Sequence, residues 1–219
     1  MTKYKSIIEK SKLFKSIKYE DIVNMAVYRS AVDKKYRKGE YVLRTGDKIN
    51  TLYMVAEGKI HILKEDYWGN RSILAEVESG EIFGEAYACM EGVPLQVNAE
   101  AVKDSVIIEM NIENIFNEEI ISSHCNLKFI KNLVSIIAER NLHLTNKLEC
   151  MAQRSTRDKI MRYLSMESQK NKSGEFNIPF NRQQLADYLC VDRSAMSKEL
   201  CKMRDEKILE FNKNYFKLL

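Results

Sequence analysis

The residues best suited to chemistry are hydrogen-bond donors near the C-terminus, spaced along one face of a predicted helix. Arg193, Ser194, Ser197 and Lys198 fall at helical spacing, so one face would present them together. An arginine can donate two hydrogen bonds to guanine O6 and N7, and a lysine can reach the same acceptors or a phosphate. Duplex DNA is the partner this chemistry favours, and the alternative is a solvated charged face.

Two short helices across a tight turn are predicted to position these donors. Asn181 and Asp192 are suitable N-caps for helices over residues 181–189 and 193–204, and Cys190 lies in the turn between them. Ser155 begins an S-x-x-D capping box for a further helix that starts at about Thr156. Extended residues 208–211 and 215–218 form a hairpin behind them, which predicts a winged helix-turn-helix. Arg182 is placed for a phosphate. The candidate DNA contacts are Arg182, Gln183, Arg193, Ser194, Ser197, Lys198, Lys202 and Lys213.

The charge distribution agrees with a nucleic-acid partner. From Ser155 onward there are 13 Lys and Arg residues against 9 Asp and Glu residues. The remainder of the chain carries 22 of each, so the excess positive charge lies in the C-terminal third. This bias favours a polyanionic partner.

An apolar heptad seam over residues 127–151 predicts a long helix that pairs with a second copy of the chain. Asn141 is the one polar residue of the seam, and a buried amide favours the register that places it opposite its counterpart. The alternative is a core helix packed within its own chain. The predicted dimer interface comprises Leu127, Ile130, Val134, Ile137, Asn141, Leu144, Leu148 and Met151.

The first half of the chain predicts a β-rich domain. Residues 4–28 have the spacing of one or two short amphipathic helices. Residues 31–110 alternate with period two and are punctuated by Gly and Asp turns, which indicates an antiparallel roll, sandwich or barrel. A short helical connection is predicted over residues 112–121. The predicted domains are residues 1–126, a dimerisation helix over 127–154 and a DNA-binding domain over 155–219.

Several classes of function lack their sequence signature. The five cysteines are odd in number and never stand at C-x-x-C spacing, so zinc, iron–sulfur and disulfide frameworks are not expected. No Ser/His/Asp or Cys/His set, phosphate-binding loop or G-x-G-x-x-G is found, so we predict no enzyme activity. No apolar run approaches the length of a membrane span, and the N-terminus is not a signal peptide, so we expect a cytoplasmic protein.

The chain resembles the Crp/Fnr family of bacterial transcription regulators. Residues 80–85 (GEIFGE) resemble the family's cyclic-nucleotide-binding-type β-roll, and residues 185–200 resemble its recognition motif. The resemblance implies an α+β fold with an N-terminal antiparallel β-roll, a long dimerisation helix and a C-terminal winged helix-turn-helix domain. It also implies a homodimer on a pseudo-palindromic operator, an effector in the roll and contact with RNA polymerase.

The effector region departs from the members that bind cyclic AMP. In those members a glutamate matching Glu85 takes the ribose hydroxyl, and an Arg-Ser or Arg-Thr pair holds the phosphate. That pair falls here on Leu95 and Gln96, and leucine cannot neutralise a phosphate. We therefore predict an unidentified effector other than cyclic AMP. The candidate effector contacts by resemblance are Gly84, Glu85, Leu95, Gln96, Leu144 and Thr145.

The function of the roll stays open between two hypotheses. In the first, a small molecule in the roll controls DNA binding. In the second, the dimer binds DNA without a ligand, and the roll is a structural platform or a contact for polymerase. The sequence identifies no cofactor.

Overall fold

The structure is a computed structural model that describes residues 2–68, 71–90, 92–113, 115 and 124–219. The chain falls into two compact units, Met1–Ala138 and Glu139–Leu219. The helical connection predicted over residues 112–121 lies largely outside the described residues. The domain bounds predicted from sequence stay predictions.

The first unit begins with three short helices and continues into eight strands. The helices are α1 Lys5–Lys10, α2 Tyr19–Ile22 and α3 Ala26–Arg29, with single 3-10 turns at Thr2–Tyr4 and Lys12–Phe14. The strands are β1 Val32–Tyr36, β2 Tyr41–Leu43, β3 Thr51–Glu57, β4 Lys59–Glu65, β5 Arg71–Glu78, β6 Ile82–Phe83, β7 Asn98–Ala101 and β8 Ser105–Asn111, with the short helix α4 Glu85–Ala88 between β6 and β7.

The N-terminal prediction of one or two helices is wrong, because extended residues interrupt the helical spacing. Ser11 takes an extended conformation after α1, and its hydroxyl accepts a hydrogen bond from the Leu13 N–H, which starts a new turn. Lys18 and Met25 are likewise extended before α2 and α3. Three short helices result.

The strands form two antiparallel four-stranded sheets, in the orders β1-β8-β3-β6 and β2-β7-β4-β5. Strand β3 is buried on both faces because its side chains alternate between two cores. Leu52 and Met54 pack with the N-terminal helices, whereas Tyr53 and Val55 pack inside the roll. The predicted antiparallel roll is thereby confirmed.

The long helix α5, His124–Met151, has a buried face and an exposed apolar stripe. Phe129, Leu133 and Ile136 are buried in the core of the first unit. In the single chain Val134 is 59% exposed and Leu148 is 64% exposed. The helix therefore keeps an apolar stripe that its own chain leaves uncovered.

The second unit contains three further helices and a small sheet. These are α6 Thr156–Asn171, α7 Arg182–Leu189, α8 Arg193–Asp205, and strands β9 Glu175–Asn177, β10 Leu209–Asn212 and β11 Tyr215–Leu218. The predicted hairpin is β10 and β11, and β9 adds a third strand by pairing with β11. The predicted α+β class, with a long helix and a C-terminal helix-turn-helix, is confirmed.

Candidate nucleic-acid interface and effector region

Local hydrogen bonds fix the start of each helix in the C-terminal unit. Asn181 and Gln184 form a reciprocal capping box at α7, with N···O distances of 3.0 and 2.9 Å between side chain and backbone. The Asp192 carboxylate caps α8 by accepting from the Ala195 N–H at 2.8 Å. Ser155 caps α6. All three predicted caps are confirmed.

The turn between α7 and α8 depends on one residue in the left-handed region. Cys190 has φ 51° and ψ 55°, and the Val191 N–H donates to the Ala186 carbonyl at 3.0 Å. The resulting turn brings Leu185 and Leu189 of α7 into one core with Met196 and Leu200 of α8. The two helices therefore meet as the sequence predicts.

The outer face of α8 carries cations without an ion-pair partner in the described chain. Arg193, Lys198 and Lys202 are exposed. Several other cations of this unit are paired, including Arg157 with Glu206 at 2.5 Å. A row of exposed cations beside a capped helix N-terminus attracts polyanions.

The two serine candidates on α8 make hydrogen bonds within the helix. The Ser194 hydroxyl donates to the Asp192 carboxylate at 2.5 Å, and the Ser197 hydroxyl donates to the Arg193 carbonyl at 2.9 Å. The hydrogen bonds from Ser194 and from the Ala195 N–H hold the pKa of Asp192 below its ordinary value. The hydroxyl oxygens still have acceptor capacity toward a base.

Arg182 has a different environment from the other candidates. Its guanidinium lies over the rings of Phe211 and Phe216, 4.9 Å from each centroid. One terminal nitrogen is buried without a hydrogen-bond partner in the described residues, and burial lowers the pKa of Arg182. Arg182, a predicted phosphate contact, therefore also packs on the wing, the hairpin of β10 and β11. The sequence alone did not indicate this contact.

The two remaining DNA candidates lie at the edges of the interface. The Gln183 amide donates to the Asp187 carboxylate at 2.8 Å, one turn along α7. Lys213 is exposed at the tip of the β10–β11 hairpin, with φ 51°. Both side chains are at the surface, where a phosphate backbone could reach them.

Four of the effector candidates belong to the first unit. Gly84 has φ 79° and precedes α4, whose first residue, Glu85, is 7% exposed. Leu95 is only 2% exposed and belongs to the same core as Tyr53 and Phe83. Gln96 is exposed. An apolar side chain therefore occupies the position where the resemblance would require an arginine.

The other two effector candidates belong to the second unit. Leu144 on α5 is 59% exposed, and the Thr145 hydroxyl donates to the Asn141 side chain at 3.3 Å. The single chain leaves both side chains at its surface.

The predicted seam of α5 divides into exposed and half-buried positions. Ile130 and Ile137 are half-buried against the core of the first unit. The exposed members of the seam are Leu127, Val134, Asn141, Leu144, Leu148 and Met151.

Neither a metal site nor a membrane-spanning helix is found among the described residues. Within the described residues, no three His, Cys, Asp or Glu side chains lie close enough together to hold a metal ion. No described helix combines the length and apolar character needed to cross a bilayer.

Comparison with known families places both parts of the chain. A Crp-like helix-turn-helix domain matches residues 158–219, and a cyclic nucleotide-binding domain matches residues 33–118. The chain belongs to the Crp/Fnr family. This Crp/Fnr protein is a DNA-binding transcription regulator and not an enzyme.

Relatives of this Crp/Fnr regulator share its fold at low sequence identity. The cyclic AMP receptor protein of Thermus thermophilus is 24% identical over 175 residues, which cover 80% of this chain and 77% of that protein. The crystal structure of the Thermus thermophilus catabolite activator protein superposes with a TM-score of 0.51 at 21% identity, over 95% of this chain and 94% of that one. CprK complexed with OCPA gives a TM-score of 0.56 at 17% identity, over 97% and 93%.

Proposed function

We propose that this regulator is a homodimer that binds a pseudo-palindromic operator and responds to a small molecule other than cyclic AMP. The observation that carries the DNA part is the exposed, unpaired set Arg193, Lys198 and Lys202 on α8. Because α8 begins at a cap and packs on α7 through its inner face, its outer face is free to enter a major groove.

The uncovered stripe on α5 supports the dimer. Large apolar side chains such as Val134 and Leu148 are well over half exposed in the single chain. Pairing α5 with its counterpart would remove this apolar surface from water. In such a dimer the two recognition helices would read half-sites about 34 Å apart, which is one helical turn of DNA.

Leu95 supports an effector other than cyclic AMP. Its side chain is buried with Tyr53 and Phe83, so a phosphate placed there would lose its water without gaining a cation from this position. One relative is named a cyclic AMP receptor protein, whereas CprK was solved with OCPA. The names of these proteins therefore indicate different ligands within one fold. In this roll, the buried Leu95 favours an effector other than cyclic AMP.

The packing of the roll also favours the alternative, a ligand-independent platform that supports DNA binding or contacts polymerase. Leu95, Tyr53 and Phe83 fill space inside the roll with the protein's own side chains, and the two rings stack at 5.3 Å. Thermal unfolding against a metabolite panel separates the two functions. A ligand at about 100 times its Kd adds about 2.7 kcal/mol of stability, whereas a platform responds to nothing in the panel.

Substitution of Arg193 tests the DNA interface. Arg193→Ala is expected to weaken operator binding by about 1–3 kcal/mol and to relax the preference at one base pair, because a bidentate contact is lost. Binding to the operator and to its single-base variants would be measured at fixed salt. Lys170→Ala, on the exposed side of α6, is the control and should change neither property.

Equal weakening on every sequence would make Arg193 a phosphate contact instead of a base contact. No loss of binding at all would place the DNA interface somewhere other than α8.

A further inference from the structure

An aromatic cluster in the C-terminal unit lies outside the DNA-reading face. Tyr163 of α6, Phe180 before α7 and Tyr188 of α7 contact one another, with ring centroids 5.1–6.0 Å apart. Tyr163 is 3% exposed, and its hydroxyl has no hydrogen-bond partner in the described residues. The cluster is therefore a packed structural element on which α7 rests.

Tyr188 extends this cluster to the last turns of the long helix. Its ring lies 5.8 Å from the His143 ring, and the Lys147 Nζ lies 5.8 Å from its centroid. His143 and Lys147 are four residues apart on α5, so they share one face. Tyr188 thus contacts α5 on one side and the core of the helix-turn-helix on the other.

Two other side chains of this part of α5 contact α6. The Cys150 Sγ lies 3.8 Å from the Met166 Sδ, and Glu149 forms an ion pair with Arg162. Through its ring, Tyr188 joins this part of α5 directly to α7. Since α7 shares its core with α8, movement of α7 relative to α5 carries the recognition helix with it.

We infer that Tyr188 is a positioning residue for DNA binding: it holds the helix-turn-helix at a fixed angle to α5 and thereby sets the half-site spacing that the dimer accepts. This inference rests on the proposed dimeric function. A spacer longer by one base pair moves a half-site by about 3.4 Å and turns it by about 34°. A rigid attachment of α7 to α5 would reject such a site, and a loosened one would tolerate it.

The experiment measures affinity for operators whose spacers differ by one or two base pairs. The variants are Tyr188→Leu, Tyr188→Phe and the double variant His143→Ala with Lys147→Ala. Phe180→Leu is the control within the cluster, because the Phe180 ring contacts Tyr163 and Tyr188 but, among the described residues, no ring of α5. The control on α5 is the double variant Lys131→Ala with Ser135→Ala, an exposed pair at the same spacing.

The full-length wild type is expected to prefer its own spacing by about tenfold or more, in the range that one mismatched base pair costs. Tyr188→Leu and the His143/Lys147 double variant should reduce the preference for the wild-type spacing to about threefold or less. Tyr188→Phe keeps the ring and should keep the preference, and both controls should retain it. The base preference at Arg193 should persist in every variant, because the face of α8 is unaltered.

An equal loss of affinity at every spacing would overturn the inference, because Tyr188 would then act only through folding. The same conclusion follows if Phe180→Leu matches Tyr188→Leu. If Tyr188→Leu fails to fold, the double variant His143→Ala with Lys147→Ala gives the same test. A wild-type protein that is monomeric, or that binds equally well at every spacing, would overturn the proposed dimeric function. The contacts of Tyr188 with α5 would be unaffected by that result.

Discussion

Replacing Cys190 by glycine should stabilise the C-terminal unit. The left-handed conformation at φ 51° and ψ 55° costs an L-residue about 1–2 kcal/mol, and glycine pays about 0.5–1 kcal/mol more in backbone entropy. The thiol is exposed, with its Sγ 3.6 Å from the Asp187 carbonyl oxygen, so its removal leaves no cavity. The expected net gain is about 1 kcal/mol or slightly less.

Thermal unfolding of the purified protein measures this gain. A gain of that size raises Tm by about 4–8 °C if the C-terminal unit unfolds alone, and by about 2–4 °C if the whole chain unfolds together. Cys190→Ala is the matched control, because it removes the thiol but keeps a Cβ in the left-handed region. If glycine gives no more stability than alanine, the strain argument is wrong.

Three further predictions concern the long helix α5, the N-cap of α8 and the buried hydroxyl of Tyr163. Asn141→Leu should raise dimer stability by about 1–3 kcal/mol, because a desolvated amide is removed, and should loosen the register of the two paired helices. An unchanged Tm and a single register would show that Asn141 is not buried in the dimer. The lowered pKa of Asp192 means that its carboxylate stabilises the fold above its ordinary pKa of about 3.9, and that this contribution disappears as pH falls through the lowered value. Asp192→Asn should flatten that part of the unfolding free energy against pH, and a wild-type slope would refute the role. Tyr163→Phe should stabilise the protein by about 1 kcal/mol, because it removes an unpaired buried hydroxyl, and a loss of stability in denaturant unfolding would reveal a missed partner.

The features predicted correctly from sequence depend mostly on neighbouring residues. The caps at Ser155, Asn181 and Asp192 each act within three residues, so residue type and spacing are enough to identify them. The turn at Cys190 follows from the two helices that flank it. The glycine-punctuated strands likewise predict an antiparallel roll, sandwich or barrel through their period of two.

The features that were missed depend on contacts between distant parts of the chain. Phe176 pairs with Phe216 in the third strand of the wing, and no local pattern indicates that pairing. Arg182 lies on Phe211 and Phe216, about thirty residues away, a contact set by the fold of the wing.

Selection of binding sites from random duplex DNA tests whether the protein reads a two-fold operator through α8. We expect enrichment of one sequence with two inverted half-sites, centred about 34 Å apart, and loss of that enrichment in Arg193→Ala. Binding that falls steeply with salt but enriches no sequence would contradict it. That result would show that the cations of α8 contact only the phosphate backbone.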